Sequence, residues 1–387
     1  MTPTNFFLKV IFVTIILSST ILYSQTRNAP IMGWSSWNNF RVHIDEKIIK
    51  EQADAMISSG LYEAGYRFIN IDDGYFGGRD KSGRLYCDSI KFPSGMKSLA
   101  DYIHSKKLKA GIYTDAGRNT CGSIYDKDQK GIGVGIYGYL EEDCETFFDD
   151  WKYDFLKVDW CGGEKMNLDE KTEYLKIINE VKSKGDIVFN VCRWKFPGQW
   201  VLTKADSWRI SSDIRAEFSS ILKIIDINAD LYQYSKPGHY NDMDMLQVGR
   251  GMTIEEDKSH FSMWCILNSP LLAGNDLRKM SQQTIGILTN KEVIALNQDA
   301  GFHQGKRIYK SGDIEVWIKS LGNASTSYAI AILNRGTASD FELKSELLKL
   351  SSDLKIRDLW AHKDLGKIGK TKKFRIPEHG VILLRTN

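Results

Sequence analysis

From Pro30 to about Gln298 the chain alternates between two hydrophobic rhythms. Short apolar runs end in polar or aromatic residues, and stretches with helical spacing follow them. The runs are MGWSSWN from Met32, YRFINIDDG from Tyr66, LKAGIYTDAG from Leu108 and FLKVDWCGG from Phe155. IVFNVCRW from Ile187, SWRISSD from Ser207, HYNDMDML from His239 and SPLLAGND from Ser269 continue the series. Between them, Asp45 is placed to cap a helix with Ile48, Ile49, Ala53, Met56 and Ile57 on one face. Another helix is expected from about Asp169, burying Tyr174, Ile177, Ile178 and Val181 and stopping at Gly185. Eight strand–helix units over roughly 270 residues predict a closed (β/α)8 TIM barrel. An open doubly wound sheet would carry a Gly-rich phosphate turn after its first strand, and MGWSSWN has none.

After Gln298 the period changes to two. GDIEVWIKSL sets Ile314, Val316 and Ile318 on one face, and TSYAIAILNRG alternates likewise. The expected unit is a C-terminal antiparallel β-sandwich packed on the barrel. At the other end, NFFLKVIFVTIILSSTILYSQ holds one charge, Lys9, and then none before Arg27. That is the pattern of an export leader cleaved near Ser24, although Leu22 fits the small-residue rule of such sites poorly. The expected division is 1–24 leader, 25–298 barrel and 299–387 sandwich. The mature chain is expected to be exported, periplasmic or secreted, without stable membrane association.

Composition narrows the function. The net charge of +3 and the lack of a basic block give no reason to expect nucleic acid as a partner. The six cysteines form no CxxC pair, so neither a zinc site nor thioredoxin-like chemistry is signalled. An exported chain of this length needs only one or two disulfides.

The barrel prediction gives the strand ends their meaning, because active sites of such barrels lie at the C-terminal ends of the strands. There stand Trp37, Asp72, Asp73, Tyr113, Asp115, Lys157, Asp159, Arg193, Arg209, Asp213, Asp242, Asp244, Asn275 and Asp276. One such aspartate could be a helix cap. A carboxylate at strand end after strand end is not what packing selects, since each buried unpaired carboxylate costs several kcal/mol. Lys157 and Asp159 sit two residues apart, on the same face of a strand that should be apolar throughout. Two carboxylates, many hydrogen-bonding groups and aromatic walls suit glycoside hydrolysis, so the expected partner is a carbohydrate. A metal-dependent sugar isomerase is the competing enzyme. It would draw on His239, Asp242 and Asp244, but His239 is the only histidine among the strand ends, so no metal and no other cofactor is expected.

The motifs then become specific. FLKVDWC resembles the nucleophile strand of the family 27 glycoside hydrolases, the α-galactosidases or melibiases. APIMGWSSWNNF, INIDDGYF, GIYTDAG, WRISSD, NDMDML, NDLRKM and VIALNQD are similar to family motifs in family order. The resemblance spans nearly the whole mature chain and implies a retaining exo-α-galactosidase that works by double displacement. It implies that Asp159 is the nucleophile, kept ionised by Lys157, which also binds sugar hydroxyls. Asp213 is implied as acid/base and Arg209 as the partner of the hydroxyl next to the anomeric carbon. Asp72 and Asp73 are implied to grip the 4- and 6-hydroxyls, with Trp37, Tyr113 and Met245 lining the pocket. Cys121 and Cys161 occupy the positions of the family's active-site disulfide.

The chain departs from the family pattern at a few positions. Where characterised members commonly have Cys-Glu-Trp, it has Cys192-Arg193-Trp194. Arg193 reverses the charge near the sugar's 2-position and is expected to bind substrate there. The bulk of CRWKFPG argues against an N-acetylgalactosaminidase, whose loop needs small residues. A β-L-arabinopyranosidase is the alternative on this scaffold. An acid larger than aspartate at position 73 would fill the space of the missing hydroxymethyl group, and Asp73 is not larger. Gly74 and Ala205 stand where the family has cysteines, so fewer bridges are expected.

Overall fold

A computed structural model describes residues 28–323 and 327–386. The predicted leader lies outside the described residues. Among the described residues, no helix is long and apolar enough to cross a membrane.

Eight parallel strands form the first sheet: β1 (Met32–Ser35), β2 (Phe68–Asn70), β3 (Lys109–Asp115), β4 (Phe155–Asp159), β5 (Val188–Val191), β6 (Ser207–Arg209), β7 (Tyr240–Asp242) and β8 (Leu271–Ala273). From β1 to β7 each strand pairs with the next, and β1 also pairs with β8, so the sheet curls round on itself. The β7–β8 seam is closed just beyond the end of β7. Asp244 takes a left-handed turn at φ 76°, and Leu246 then bridges Ala273 in parallel. The Leu246 N–H donates to the Leu272 carbonyl at 2.7 Å, and the Gly274 N–H to the Leu246 carbonyl at 3.0 Å.

The helices follow the pattern read from the sequence. The helix Glu46–Ser58 starts at Asp45, whose carboxylate accepts from the Ile48 N–H. Ile49, Ala53 and Met56 are buried, while Ile48 and Ile57 are only half-buried. The face also buries Gln52, an amide that answers Asp276 and the Leu277 N–H and so ties this helix to the loop after β8. The helix Glu170–Ser183 is capped by Asp169 and buries all four predicted residues, Tyr174, Ile177, Ile178 and Val181. Gly185, at φ 123°, supplies the left-handed residue beyond its end.

The C-terminal unit is a six-stranded antiparallel sheet facing a two-stranded one. Its strands are β9 (Lys306–Ser311), β10 (Ile314–Leu321), β11 (Ser327–Asn334), β12 (Ser339–Lys344), β13 (Lys355–Asp358), β14 (Lys363–Lys367), β15 (Thr371–Ile376) and β16 (Val381–Thr386). The order is β9-β10-β11-β16-β13-β14, with β12 and β15 paired separately. Val316, Ile330, Ile332, Leu343, Ile376 and Leu384 fill the space between the two sheets. The other face of the large sheet is not solvated. Trp317, Ala329, Ala331, Leu333 and Leu383 join the barrel's own core, against the helix Ile254–Ile266, which is buried along most of its length. Alternation alone would send Glu315, Trp317 and Lys319 to solvent, yet all three are buried by the barrel.

Candidate active site

Parallel register stacks the predicted strand-end residues side by side. Tyr113 pairs with Lys157 and Asp115 with Asp159 across β3 and β4; Lys157 pairs with Asn190, and Arg209 with Asp242. Above them opens a cavity of about 470 Å³. Of the predicted residues, Trp37, Asp72, Lys157, Asp159, Arg209, Asp213 and Met245 line it, together with Cys121 and Cys161.

Two ion-paired groups organise the floor. Lys157 Nζ donates to Asp72 Oδ2 at 2.8 Å and lies 3.8 Å from Asp159 Oδ2. Burial opposes the charge on Lys157, but Asp72 foremost, with Asp159, holds the ammonium above its ordinary value. Arg209 Nη2 meets Asp213 Oδ1 at 3.0 Å and Asp244 Oδ2 at 2.8 Å. Asp244 is fixed in turn by the Ile214 and Met245 N–H groups. Burial pushes the Asp159 carboxyl up to about 6, with Asp213 and Asp72 adding to the shift and Lys157 opposing it. Burial likewise raises Asp244 to about 6. Asp213 moves the other way. Burial raises it, but Arg209 and then Lys157 outweigh that and leave it below the usual carboxylate value. Its side chain is 61% exposed in the open cavity, so solvent weakens that hold.

The Cys121–Cys161 bridge is formed, with Cα atoms 5.2 Å apart. It joins the loop after β3 to the end of β4, next to Asp159. Asp115 sits beneath it, and its Oδ1 accepts from the Gly117, Gly162 and Gly163 N–H groups, so one carboxylate ties both loops together. Burial, with Asp159 adding, pushes the Asp115 carboxyl up to about 8. Asp115, Cys121 and Cys161 are the one close grouping of metal-ligating types among the described residues, and both sulfurs are spent on the bridge. His239 turns its Nδ1 to the Ala205 carbonyl at 2.7 Å. The other four cysteines are free.

Three predicted residues are not on the cavity wall. Asp73 is fully buried below it. Its Oδ1 accepts from the Gly74 N–H and its Oδ2 from the Gly122 N–H, so it holds the Cys121 loop in place. Burial pushes its carboxyl up to about 7. Tyr113 is also buried. Its hydroxyl accepts from the Cys121 N–H at 3.2 Å, and its ring supports the Lys157 ammonium 5.3 Å away. Arg193 turns away altogether. Its Nε donates to Glu170 Oε2 at 2.8 Å, Glu164 lies 3.7 Å from its Nη2, and its guanidinium leans on Trp194. Two glutamates from the loop and helix after β4 give this half-buried cation the acceptors that it was expected to find in the sugar. The wall residue from this loop is Trp194 instead.

The cavity also takes in Asn38, Arg41, Tyr125, Ser212, Arg215 and Asp244, which the sequence did not place in the site. Asp244 stood among the strand-end acids, and its NDMD run was the available signal. Arg41, Tyr125 and Arg215 lie beyond the strand ends, in turns and a five-residue helix too short for periodicity to report which way a side chain points.

A parallel barrel with clustered carboxylates at its rim and a β-sandwich packed on it is the architecture of a glycoside hydrolase, and the comparisons agree. A family model described as alpha galactosidase A matches residues 29–299, and one for the alpha galactosidase C-terminal beta sandwich domain matches 311–386. The alpha-galactosidase A of Cellvibrio japonicus is 40% identical over 389 residues, covering 94% of this chain and 93% of its own. Alpha-galactosidase 2 of Arabidopsis thaliana is 42% identical over 359 residues, with coverages of 91% and 87%. The crystal structure of alpha-galactosidase I from Mortierella vinacea superposes with a TM-score of 0.86 at 32% identity, covering 93% of this chain and 97% of that one. The chain belongs to the alpha-galactosidase (melibiase) family of glycoside hydrolases.

Proposed function

We propose that this chain is a retaining exo-α-galactosidase that removes terminal α-D-galactosyl residues from oligo- or polysaccharides. The observation that carries the reading is one closed-floored cavity shared by Asp159, Asp213, Lys157 and Arg209, within a family of α-galactosidases. Asp159 attacks the anomeric carbon while Asp213 gives its proton to the departing glycosidic oxygen. The galactosyl–Asp159 ester forms and the leaving alcohol departs neutral. Asp213, now a carboxylate, takes a proton from water, which attacks the same carbon and regenerates Asp159. Lys157 and Asp72 form a donor–acceptor pair suited to adjacent ring hydroxyls, and Met245 and Trp37 offer apolar faces to the C–H side of the ring.

The proton inventory supports this cycle. Four carboxyls, Asp72, Asp159, Asp213 and Asp244, face two buried cations, so the site has reason to retain a proton. In the empty cavity that proton favours Asp159 or Asp244 over Asp213. A bound sugar would cover Asp213 and draw Arg209 toward a hydroxyl. Both changes raise Asp213, while expulsion of the proton from Asp159 leaves the nucleophile charged. Asp73, buried under the Cys121 loop, acts in this reading by shaping the pocket floor and leaves Asp72 as the acid that contacts the sugar. The leader-like N-terminus and the Cys121–Cys161 bridge support export.

Two measurements test the reading. A panel of nitrophenyl glycosides should show turnover of the α-galactoside above all others. Proton NMR during hydrolysis should show α-galactose first, because double displacement inverts the anomeric carbon twice. A first-formed β-anomer would replace double displacement with inversion.

A further inference from the structure

The catalytic cavity changes character from floor to mouth. Asp72, Asp159 and Arg209 are buried at its floor, whereas the Asp213 side chain is 61% exposed. The proton donor of the proposed reaction therefore stands at the mouth. The glycosidic oxygen that it serves lies at the same level, and the group that departs with that oxygen extends past the rim. The floor can recognise the galactosyl unit; only the rim can recognise what the unit is attached to.

One rim residue is held where such a group would pass. Tyr125 lines the cavity and is 61% exposed. It is the one large exposed hydrophobic side chain among the described residues that does line it. A single exposed aromatic ordinarily needs no explanation, but this one is fixed from both sides. It ends the short helix Cys121–Tyr125. The Cys121–Cys161 bridge and the bond from the Gly122 N–H to Asp73 pin the start of that helix. Arg41 pins its end. The Arg41 Nε and Nη2 fork onto the two carboxylate oxygens of Asp126 at 2.5 and 2.6 Å, a geometry that sets direction as well as distance. Anchors from the turn after β1, the bend after β2 and the end of β4 thus converge on five residues that present one tyrosine to the mouth.

The rest of the rim says what kind of group the tyrosine receives. Trp194, from the loop after β5, also lines the cavity. Strands β3 and β5 flank β4, so the two aromatic residues stand on either side of the strand that carries Asp159. Arg41 keeps its Nη1 free of hydrogen bonds among the described residues. Aromatic faces suit the C–H side of a pyranose, and guanidinium N–H groups suit its hydroxyl oxygens. A lipid or other wholly apolar leaving group would instead desolvate Arg41 and Arg215, which share this rim.

We propose that Tyr125, set in place by the Arg41–Asp126 fork, is a specificity-determining residue that seats a sugar ring as the leaving group. The substrates it selects are galactosyl oligosaccharides rather than galactosides of apolar alcohols. The inference rests on the α-galactosidase reading and deepens it.

The test compares melibiose, whose leaving group is a sugar, with α-D-galactopyranosyl fluoride, which has no ring to seat. Wild-type turnover of the fluoride reads the catalytic assignment by itself. For each variant the quantity measured is kcat/KM on melibiose divided by kcat/KM on the fluoride. Tyr125→Ala should lower that ratio by about 5- to 20-fold, and Tyr125→Phe, which keeps the ring, should hold it within about twofold. Arg41→Lys cannot form the fork and should lower it by about threefold. A ratio within twofold of wild type in Tyr125→Ala would overturn the inference, and an equal loss on both substrates gives that result. A Tyr125→Phe variant as poor as Tyr125→Ala would also overturn it, because the hydroxyl and not the ring face would then make the contact.

Discussion

Two clusters of buried charge, one at the barrel rim and one at the domain junction, use the same residue types for different ends. At the rim, four carboxyls share the two buried cations Lys157 and Arg209 beside an open cavity, while the exposed Arg41 and Arg215 on its wall answer Asp126 and Glu217. At the junction, Glu315 and Asp226 meet Arg307, Lys310 and Arg335. Glu315 is fully buried; its Oε1 faces all three cations, and its Oε2 accepts from the Trp317 indole. Every acceptor there has a donor, and the cluster bolts the helix Phe218–Ala229 to the sandwich. Two carboxyls to each buried cation, with room beside them, can move a proton and receive a ligand. A saturated network can only hold two surfaces together.

That contrast can be broken by substitution. Asp159→Asn deletes the attacking charge without changing size, so kcat on a nitrophenyl α-galactoside should fall by roughly 10⁴-fold or more, with circular dichroism and Tm retained. Activity within tenfold of wild type would remove Asp159 from the chemistry. Glu315→Ala should do the reverse, because it leaves three cations crowded without their central acid. A loss of about 3 kcal/mol in denaturant unfolding, with kcat/KM on the folded fraction unchanged, is expected. A purely kinetic effect would mean that the junction reports to the site.

Titration separates the clusters next. Asp115 and Asp73, raised to about 8 and about 7, keep their protons when folded at pH values where the unfolded chain has lost them. The folded state therefore binds more protons above about pH 4, and stability should fall as pH climbs from there toward 8. Asp115→Asn copies the protonated form and keeps an oxygen for the three glycine N–H groups. Its stability relative to wild type should rise between pH 5 and pH 8, as read by Tm; a flat difference would mean that Asp115 is ionised throughout. The smallest effect belongs to Arg193→Ala. Arg193 answers Glu170 rather than the cavity, so kcat/KM on aryl galactosides should stay within about twofold and stability should drop by under about 1 kcal/mol. A tenfold loss would bring Arg193 back to the sugar.

The sequence by itself determined the order of the elements and the identity of the rim. Apolar runs ending in DD, YTD, KVD and RISSD place chemistry at strand ends whatever the side chains do next, because a parallel barrel brings all those ends to one face. Only the tertiary structure decided which rim residues face the cavity. Asp73 follows Asp72 in sequence, but it lies in the bend past the end of β2, below the floor, where the Gly74 and Gly122 N–H groups claim it. Arg193 was decided by Glu164 and Glu170, acids from the preceding strand–helix unit that come within reach only when the loops after β4 and β5 pack together. The polar face of β10 was decided likewise. Glu315 and Lys319 follow the alternation of a solvated strand, and only the barrel laid against that face gives them buried partners. Local period is a property of consecutive residues, and a charged side chain's partner is set by whichever acceptor the fold brings nearest.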